Sequence, residues 1–522
     1  MAPAATETPK ESTLGWRDAL GAFLHPRVIT MLFLGFSAGI PILLIFSSLS
    51  LWLREAGIER ATVTFFSWAA LGYSFKFVWA PLVDRLPVLY LTRRLGRRRA
   101  WMLLAQCSII VAIVWMALTN PGNGENSLTW MALAAVLLGF SSATQDIVID
   151  AYRIESADIR LQAMMSSTYI AGYRIGMLVA GAGALFLAGW FGSTLGAYDY
   201  RAWQWSYCIM ALAMLVGVVT TLMIPEPATH RPDSDSCSTK DYVGFLIMFG
   251  LAVTGFILTF FHTATWGEQL SRILHEAFGA EHLARFLGEG IRLVTSSVVA
   301  WMLATLVIRA GIVNHNLMQE TYVAPVKDFF SRYGMNSALL LLVLVGVYRI
   351  SDIVLGVIAN VFYQDMGFTK VEIAGVVKTF GLFMTIAGGF LGGILSVRHG
   401  VIKILFLGAF LSAGTNLLFL LLASMGHDLP LLYIVISIDN LSAGLASAAF
   451  VAFLSSLTNV RFTAMQYAIF SSMMTLFPKI FGGYSGTIVD SLGYPAFFIM
   501  TTVMGLPVLA LVWLAGRNLK TP

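Results

Sequence analysis

Nine ionisable side chains sit inside long apolar stretches of this chain: Lys76, Asp146, Asp150, Arg174, Arg349, Asp352, Lys378, Asp439 and Lys479. On insertion scales each costs about 2.5–3.5 kcal/mol at mid-membrane, so a group of them demands a purpose. Five are positive and four negative, so most can be paired. Asp146 and Asp150 stand four apart in GFSSATQDIVIDAY and share one helical face, Asp146 about a turn deeper. Asp150 can bridge to Arg153 or to the arginines at the membrane boundary. Asp146 can pair statically with Arg174 or Lys76, or it can carry a proton or touch substrate. Arg174 lies near the middle of its apolar run, where a guanidinium keeps its charge. It must face an acid, carbonyls, water or an anionic ligand. Arg349 and Asp352, three apart, can pair within one helix.

Acids at this depth suit proton coupling. Asp146 is the first candidate, with Asp352 and Asp439 behind it. The candidates for substrate contact are Lys76, Gln145, Tyr173, Arg174, Arg349, Lys378, Asn440, Gln466 and Lys479. Asp84, Arg97 and Asp150 read as structural charges at the membrane boundary. Aromatics near these charges, among them Tyr73, Trp79, Tyr169 and Tyr467, read chiefly as packing or interface anchors. A minority could stack on sugar rings, which offer an apolar face with polar edges.

The elements that hold these residues must be membrane helices. Of 522 residues 57% are hydrophobic and 12% charged, where a soluble protein carries about 25% charged. That excludes a nucleic-acid reading of the net charge of +5, which basic loops explain instead. Cys107, Cys208 and Cys237 show no paired spacing, so neither disulfides nor a zinc site is indicated. A crossing needs about 20 mostly apolar residues. Such runs fall at 28–51, 61–83, 100–118, 128–151, 161–190 and 203–224, then at 337–362, 371–396, 401–423, 430–457, 461–487 and 493–516. Two more lie between the sets, at 241–262 and 291–313. The pattern predicts an all-α polytopic membrane protein with fourteen transmembrane helices, two six-helix bundles and an extra pair between them.

The arginine-rich stretch 84–100 should be cytoplasmic, which places both chain ends there too. The expected layout is a cytoplasmic segment 1–27, bundles at 28–236 and 322–516, an inserted pair at 237–321 and a tail at 517–522. Residues 263–290 step apolar side chains in threes and fours among charges, as an amphipathic interfacial helix does. GxxxG spacings at Gly35/Gly39, Gly172/Gly176, Gly388/Gly392 and Gly482/Gly486 predict close helix contacts. Two matched halves suit a transporter with a midplane site. A membrane enzyme on lipid-linked sugars would need an outer-loop carboxylate cluster, and loop 119–127 holds only Glu125.

The charged stretches resemble the AmpG family of bacterial muropeptide permeases within the major facilitator superfamily. The matching runs are FLGFSAGIPILL (33–44), FKFVWAPLVDR (75–85), GRRRAW (96–101), SATQDIVIDAYR (142–153), GYRIGMLVAG (172–181), IPEP (224–227), APVKDFF (324–330), VVKTFGL (376–382) and TAMQYAIFSSM (463–473). They touch both halves. Here the extra hydrophobic pair lies between the halves, whereas familiar members carry theirs after the second. The resemblance implies the major facilitator fold and import of N-acetylglucosaminyl-1,6-anhydro-N-acetylmuramyl peptides into the cytoplasm. It further implies an inner-membrane location, a proton gradient in place of any cofactor, a role in β-lactamase induction and hence antibiotic resistance, and a monomer whose partners are substrate, protons and lipid. It places Lys76, Gln145, Asp146, Arg174, Asp352, Lys378 and Asn440 on family motif positions, with an acid at Asp439. The nearest alternative is a facilitator for another substrate, such as a drug:proton antiporter or an acetyl-CoA-type carrier.

Overall fold

The computed structural model describes residues 21–58, 66, 73, 75–88, 90–194, 196–228, 239–278, 281–313, 318–369, 372–482 and 485–519. Among these there is no β-strand, only an isolated bridge between Thr194 and Ala197. Backbone in hydrocarbon must bond to itself, and a helix does this within one segment. Twelve helices are long and apolar enough to cross a membrane among the described residues. Their bounds follow the apolar runs closely: 28–51 appears as Pro26–Glu55, 128–151 as Glu125–Ser156, and 430–457 as Leu429–Leu457. The expected span 61–83 lies largely outside the described residues. The span 461–487 is described as a helix over Thr463–Gly482.

In chain order the principal helices are α1 (Pro26–Ile45), α2 (Arg97–Ala117), α3 (Glu125–Ser156), α4 (Ile159–Leu178), α5 (Tyr200–Ala213) and α6 (Leu215–Met223). Then come α7 (Thr239–His262), α8 (Ala264–Phe278) and α9 (Glu281–Arg309). The last seven are α10 (Met335–Val347), α11 (Ile350–Asp365), α12 (Gly381–His399), α13 (Val401–Met425), α14 (Leu429–Leu457), α15 (Thr463–Gly482) and α16 (Ser485–Asn518). The chain forms two compact units, residues 1–229 with 329–522, and residues 230–328.

In the larger unit each half builds its own core. Trp52 stacks on Trp203 with ring centroids 5.6 Å apart in the first, and Phe362 meets Phe498 edge-on in the second. Glycine pairs allow the closest approaches. A Cβ at Gly35 or Gly39 would lie 2.2 or 2.1 Å from the Tyr169 or Tyr173 carbonyl oxygen on α4. Gly172 and Gly176 face the Leu32 and Phe36 carbonyls of α1 in return, at 2.0 and 2.1 Å. Gly388 and Gly444 interlock α12 and α14 in the same way. These contacts lie within each half. Gly486, by contrast, has nothing within 4 Å of the position a Cβ would take.

A Gly172→Val variant must push α1 from α4, at an overpacking cost of about 1–3 kcal/mol. It is expected to lose thermal stability and monodisperse yield in detergent, while Gly189→Ala, with open space around it, keeps both. Size-exclusion profiles and melting curves of the two variants check this.

The smaller unit is a hairpin with a helical link. A Cβ at Gly244 of α7 would lie 2.2 Å from the Ile312 carbonyl oxygen just beyond α9. The link is the expected amphipathic stretch and forms α8. Arg292 on α9 is buried, donates to the Phe260 carbonyl at 2.6 Å, and lies over that residue's ring.

Glu372, just ahead of a crossing helix, accepts from the Thr369 backbone N–H at 2.8 Å and its hydroxyl at 2.9 Å. The Glu372 N–H donates back to that hydroxyl, completing a capping box, and His427 bonds the same carboxylate at 3.2 Å. The Thr369 N–H, followed by His427 and the Thr369 hydroxyl, holds this carboxyl below its usual pKa. A depressed carboxylate stabilises the fold above its unfolded pKa, and this contribution fades as pH falls through the folded value. Glu372→Gln is therefore expected to melt slightly earlier than the parent near neutral pH. Its curve should merge with the parent's in acid, as melting across a pH series would show.

Candidate functional site

In the first half, Asp146 and Asp150 project from one face of α3, and both are buried. Asp146 forms no ion pair among the described residues. Its polar contact is the Tyr169 hydroxyl of α4, 3.5 Å away. Lys76 and Asp150 are the charges in electrostatic range of it. Lys76 opens a short 3₁₀ turn over Lys76–Val78. It is buried, and its ammonium makes no hydrogen bond among the described residues. Acid and base thus lie close enough to feel each other without forming a contact pair. Tyrosines close around them. Tyr73 donates to the Ser142 hydroxyl at 2.6 Å, and the Tyr169 and Tyr173 rings lie 6.1 Å apart.

In the second half, the helical run breaks between α10 and α11, at Tyr348 and Arg349. Arg349 pairs with Asp352 three residues on, as their spacing predicts, and both stay partly open, at 25% and 21% exposure. Facing them from the first half is Arg174 on α4, with Tyr173 beside it, both half-buried. Arg349 and Asp352 are the charged side chains in range of Arg174, yet its guanidinium makes no hydrogen bond among the described residues. Two guanidiniums and one carboxylate therefore lie within electrostatic range of one another across the gap between the halves, with only Arg349 bonded to the acid. Asp439 on α14 accepts from the Thr415 hydroxyl at 3.0 Å and lies in electrostatic range of Asp352. Asn440 accepts from the Thr385 hydroxyl at 2.8 Å. Lys378 is exposed and donates to the Asn360 side chain at 2.8 Å.

Other candidates are placed elsewhere. Gln145 is fully buried inside the first half and donates to the Ser37 hydroxyl at 3.1 Å. Gln466 is buried too, and its side-chain oxygen accepts from Arg332 at 3.0 Å and from the Asn459 N–H at 2.8 Å. It braces the turn before α15. The side chain of Lys479 lies outside the described residues.

The arginine-bearing end of the bundle is sealed by contacts between the halves. Asp84 accepts from the backbone N–H groups of Ala464 and Met465, at 3.3 and 3.1 Å. A carboxylate there meets the positive N-terminus of α15. Arg98, about 1% exposed, binds Asp84 at 2.7 Å and Glu155 at 2.5 Å. It also donates to the Thr463 hydroxyl at 2.8 Å. Arg97 donates to the Asp84 carbonyl at 2.6 Å. Asp150 pairs with Arg153 at 3.0 Å, and Arg153 reaches across to the Ser455 hydroxyl at 2.9 Å. The bonds from Arg98 to Thr463, from Arg153 to Ser455 and from Ala464 and Met465 to Asp84 thus join the two halves at this end. Glu226 of the IPEP run accepts from the Arg98 and Arg99 N–H groups at 2.7 and 3.1 Å, capping α2. Gly96 there has φ +85°, and a Cβ would lie 2.4 Å from that carboxylate carbon, so only glycine fits.

Known proteins agree with this architecture. The family model described as Major Facilitator Superfamily matches residues 86–362 and 340–522. The chain is 31% identical over 487 residues to "Putative transporter AmpG 4" of Rickettsia conorii, covering 93% of this chain and 96% of that one. It is 28% identical over 503 residues to the "Anhydromuropeptide permease" of Escherichia coli, covering 96% of this chain and 82% of that one. Among solved structures, the proton:xylose symporter XylE superposes with a TM-score of 0.57 at 12% identity, covering 96% of both chains. FucP in its outward conformation gives 0.57 at 9% identity, covering 95% of this chain and 99% of that one. The structural likenesses speak for the fold, and the sequence relatives for the branch. The chain belongs to the AmpG family of major facilitator transporters: it is a multi-pass membrane carrier and not an enzyme.

Proposed function

We propose that this carrier imports anhydro-muropeptides from the periplasm to the cytoplasm, driven by protons and without a cofactor. The observation that carries the reading is Arg174, half-buried and without a hydrogen bond among the described residues, opposite the Arg349–Asp352 pair. A net positive spot in hydrocarbon calls for an anionic ligand, and a guanidinium fork matches a carboxylate in two parallel bonds. Muropeptides carry carboxylates on the peptide stem and sugar rings that can lie on Tyr169 and Tyr173. The relative named for anhydromuropeptides supports the same substrate class.

In this reading the sealed end is cytoplasmic, with both chain ends beside it, in the bacterial inner membrane. Substrate enters from the other side. The halves, 28–236 and 322–516, then rock about the midplane site, and a single copy suffices. Asp146 carries the coupling proton, with Lys76 near enough to favour its release. One proton driven by about 100 mV gains about 2.3 kcal/mol, and one pH unit adds about 1.4. Together they support accumulation of several hundredfold.

The test is uptake of labelled N-acetylglucosaminyl-1,6-anhydro-N-acetylmuramyl tripeptide into liposomes holding the purified protein, with an inward proton gradient. Accumulation that collapses with a protonophore is expected. Uptake no greater than in empty liposomes rejects the assignment.

A further inference from the structure

We propose that the groove between α13 and α16 seats an anionic phospholipid, its phosphate held by Lys403 and Arg517 and an acyl chain laid along Phe406 and Trp513. The inference goes beyond the transport reading and needs neither its substrate nor its proton. The two helices meet closely. A Cβ at Gly505 of α16 would lie 2.5 Å from the Ala413 side chain of α13, and one at Gly516 would lie 3.0 Å from that of Ile402. Toward the start of α13 and the end of α16 they enclose a groove of about 300 Å³, lined by Ile402, Phe406, Val512 and Trp513 with Lys403 and Arg517 at its rim. The groove lies at the arginine-bearing end. Ser455, near the end of α14, bonds Arg153 there, and the short turn between α13 and α14 puts the start of α13 at the same level.

Charge and position select the occupant. Lys403 and Arg517 stand at the ends of two crossing helices, level with the membrane boundary, and neither forms an ion pair among the described residues. No Asp or Glu occurs between Glu372 and Asp428, or after Asp490. Lys403 also breaks a local rule, since a helix N-terminus repels cations and attracts anions. The first turn of α13 holds no acid, and Gly400 ahead of it supplies no side-chain cap. An anion beside Lys403 answers both. The Arg517 guanidinium lies 4.7 Å from the centre of the Trp513 ring, an aromatic at the depth where such side chains anchor in headgroups. Below the cations the surface is apolar and open. Phe406 and Trp513 are 40% and 54% exposed, and Phe410 continues the strip one turn deeper. From Ile402 to Phe410 the face runs about 12 Å into hydrocarbon. A free anion would use the cations alone, whereas a phospholipid uses the strip as well. Because α13 packs on α11, α12, α14 and α16 of its own half, the groove is separate from the midplane site. Basic pockets between helices at a membrane boundary are suited to anionic headgroups.

Native mass spectrometry counts the lipids held by the purified full chain in detergent, titrated with phosphatidylglycerol or with phosphatidylethanolamine of the same acyl chains. The parent should bind its first phosphatidylglycerol about 30-fold more tightly than its first phosphatidylethanolamine, at about fivefold for each cation near the headgroup. Lys403→Gln combined with Arg517→Gln should bring the two lipids level. Arg93→Gln combined with Arg94→Gln removes two exposed cations outside the groove and should keep the preference. Level binding by the parent, a preference that survives in the groove variant, or an equal loss in the Arg93 and Arg94 variant overturns the site. If the groove variant does not fold, Lys403→Gln alone decides: a loss of about fivefold supports the site, and an unchanged preference overturns it. Melting curves fix the source of the phosphate. Phosphatidylglycerol should raise the Tm of the parent and not that of the groove variant, while inorganic phosphate at matched ionic strength should raise neither. Equal stabilisation of the parent by inorganic phosphate would make this a site for a free anion and overturn the lipid. No muropeptide enters these measurements, so failed uptake by the parent bears on the substrate assignment alone.

Discussion

Asp146→Asn is expected to abolish gradient-driven accumulation while sparing substrate counterflow. The amide keeps the volume and can still bond the Tyr169 hydroxyl, which lies 3.5 Å from the carboxylate. It cannot change charge, so it stands for a carrier protonated throughout the cycle. The several-hundredfold gradient that about 3.7 kcal/mol supports would fall to equilibration, and labelled substrate would still exchange for unlabelled. The geometry favours this over a static role, because Asp146 has no ion pair among the described residues to be broken. A structural acid would instead contact Arg174 or Lys76, and its amide would damage folding and exchange together. Counterflow and gradient-driven uptake measured on one purified variant separate the two. Equal loss of both would remove Asp146 as the coupling acid. Asp439, which also lacks a contact cation among the described residues and lies in electrostatic range of Asp352, would then be the next acid to test.

How much of this was legible in the sequence follows from the range of the forces involved. Helix positions were, because about 20 apolar residues are a local property. So were pairs fixed by helical geometry. Asp150–Arg153 and Arg349–Asp352 need only a spacing of three, and both form. Three of the four GxxxG runs announced close contacts, but not that α1 meets α4 and α12 meets α14, and Gly486 of the fourth has open space around it. Contacts set by tertiary approach were invisible. Arg98 reads as one of six arginines in 85–99, yet it alone is the buried hub joining Asp84, Glu155 and Thr463. Glu155 and Ser455 carried no signal, because their partner comes from another helix or the other half. Gln145 and Gln466 show the reverse. An amide beside an intramembrane acid, or inside a family motif, suggests substrate contact, but each folds into the body of its own half.

Arg174→Lys is expected to impair uptake nearly as much as Arg174→Ala, by about 10- to 100-fold, the range of one charge-assisted hydrogen bond to a substrate carboxylate. The guanidinium forms no hydrogen bond among the described residues and faces Arg349 and Asp352 across the gap. A carboxylate entering there meets two planar forks from opposite halves, which rewards their approach as well as its own binding. Lysine keeps the charge but offers a compact, strongly hydrated ammonium that cannot make two parallel bonds. Folding should be spared in both variants, since no hydrogen bond among the described residues is lost. Arg349→Gln should act differently. It frees the Asp352 carboxylate to take Arg174 as its partner, so an anionic substrate must compete with an internal acid. The expected result is a raised KM with turnover less affected. Initial rates over a range of labelled muropeptide concentrations distinguish the variants. Near-parent uptake by Arg174→Lys would reduce its role to charge alone, and an unchanged KM in Arg349→Gln would remove the second fork from the site.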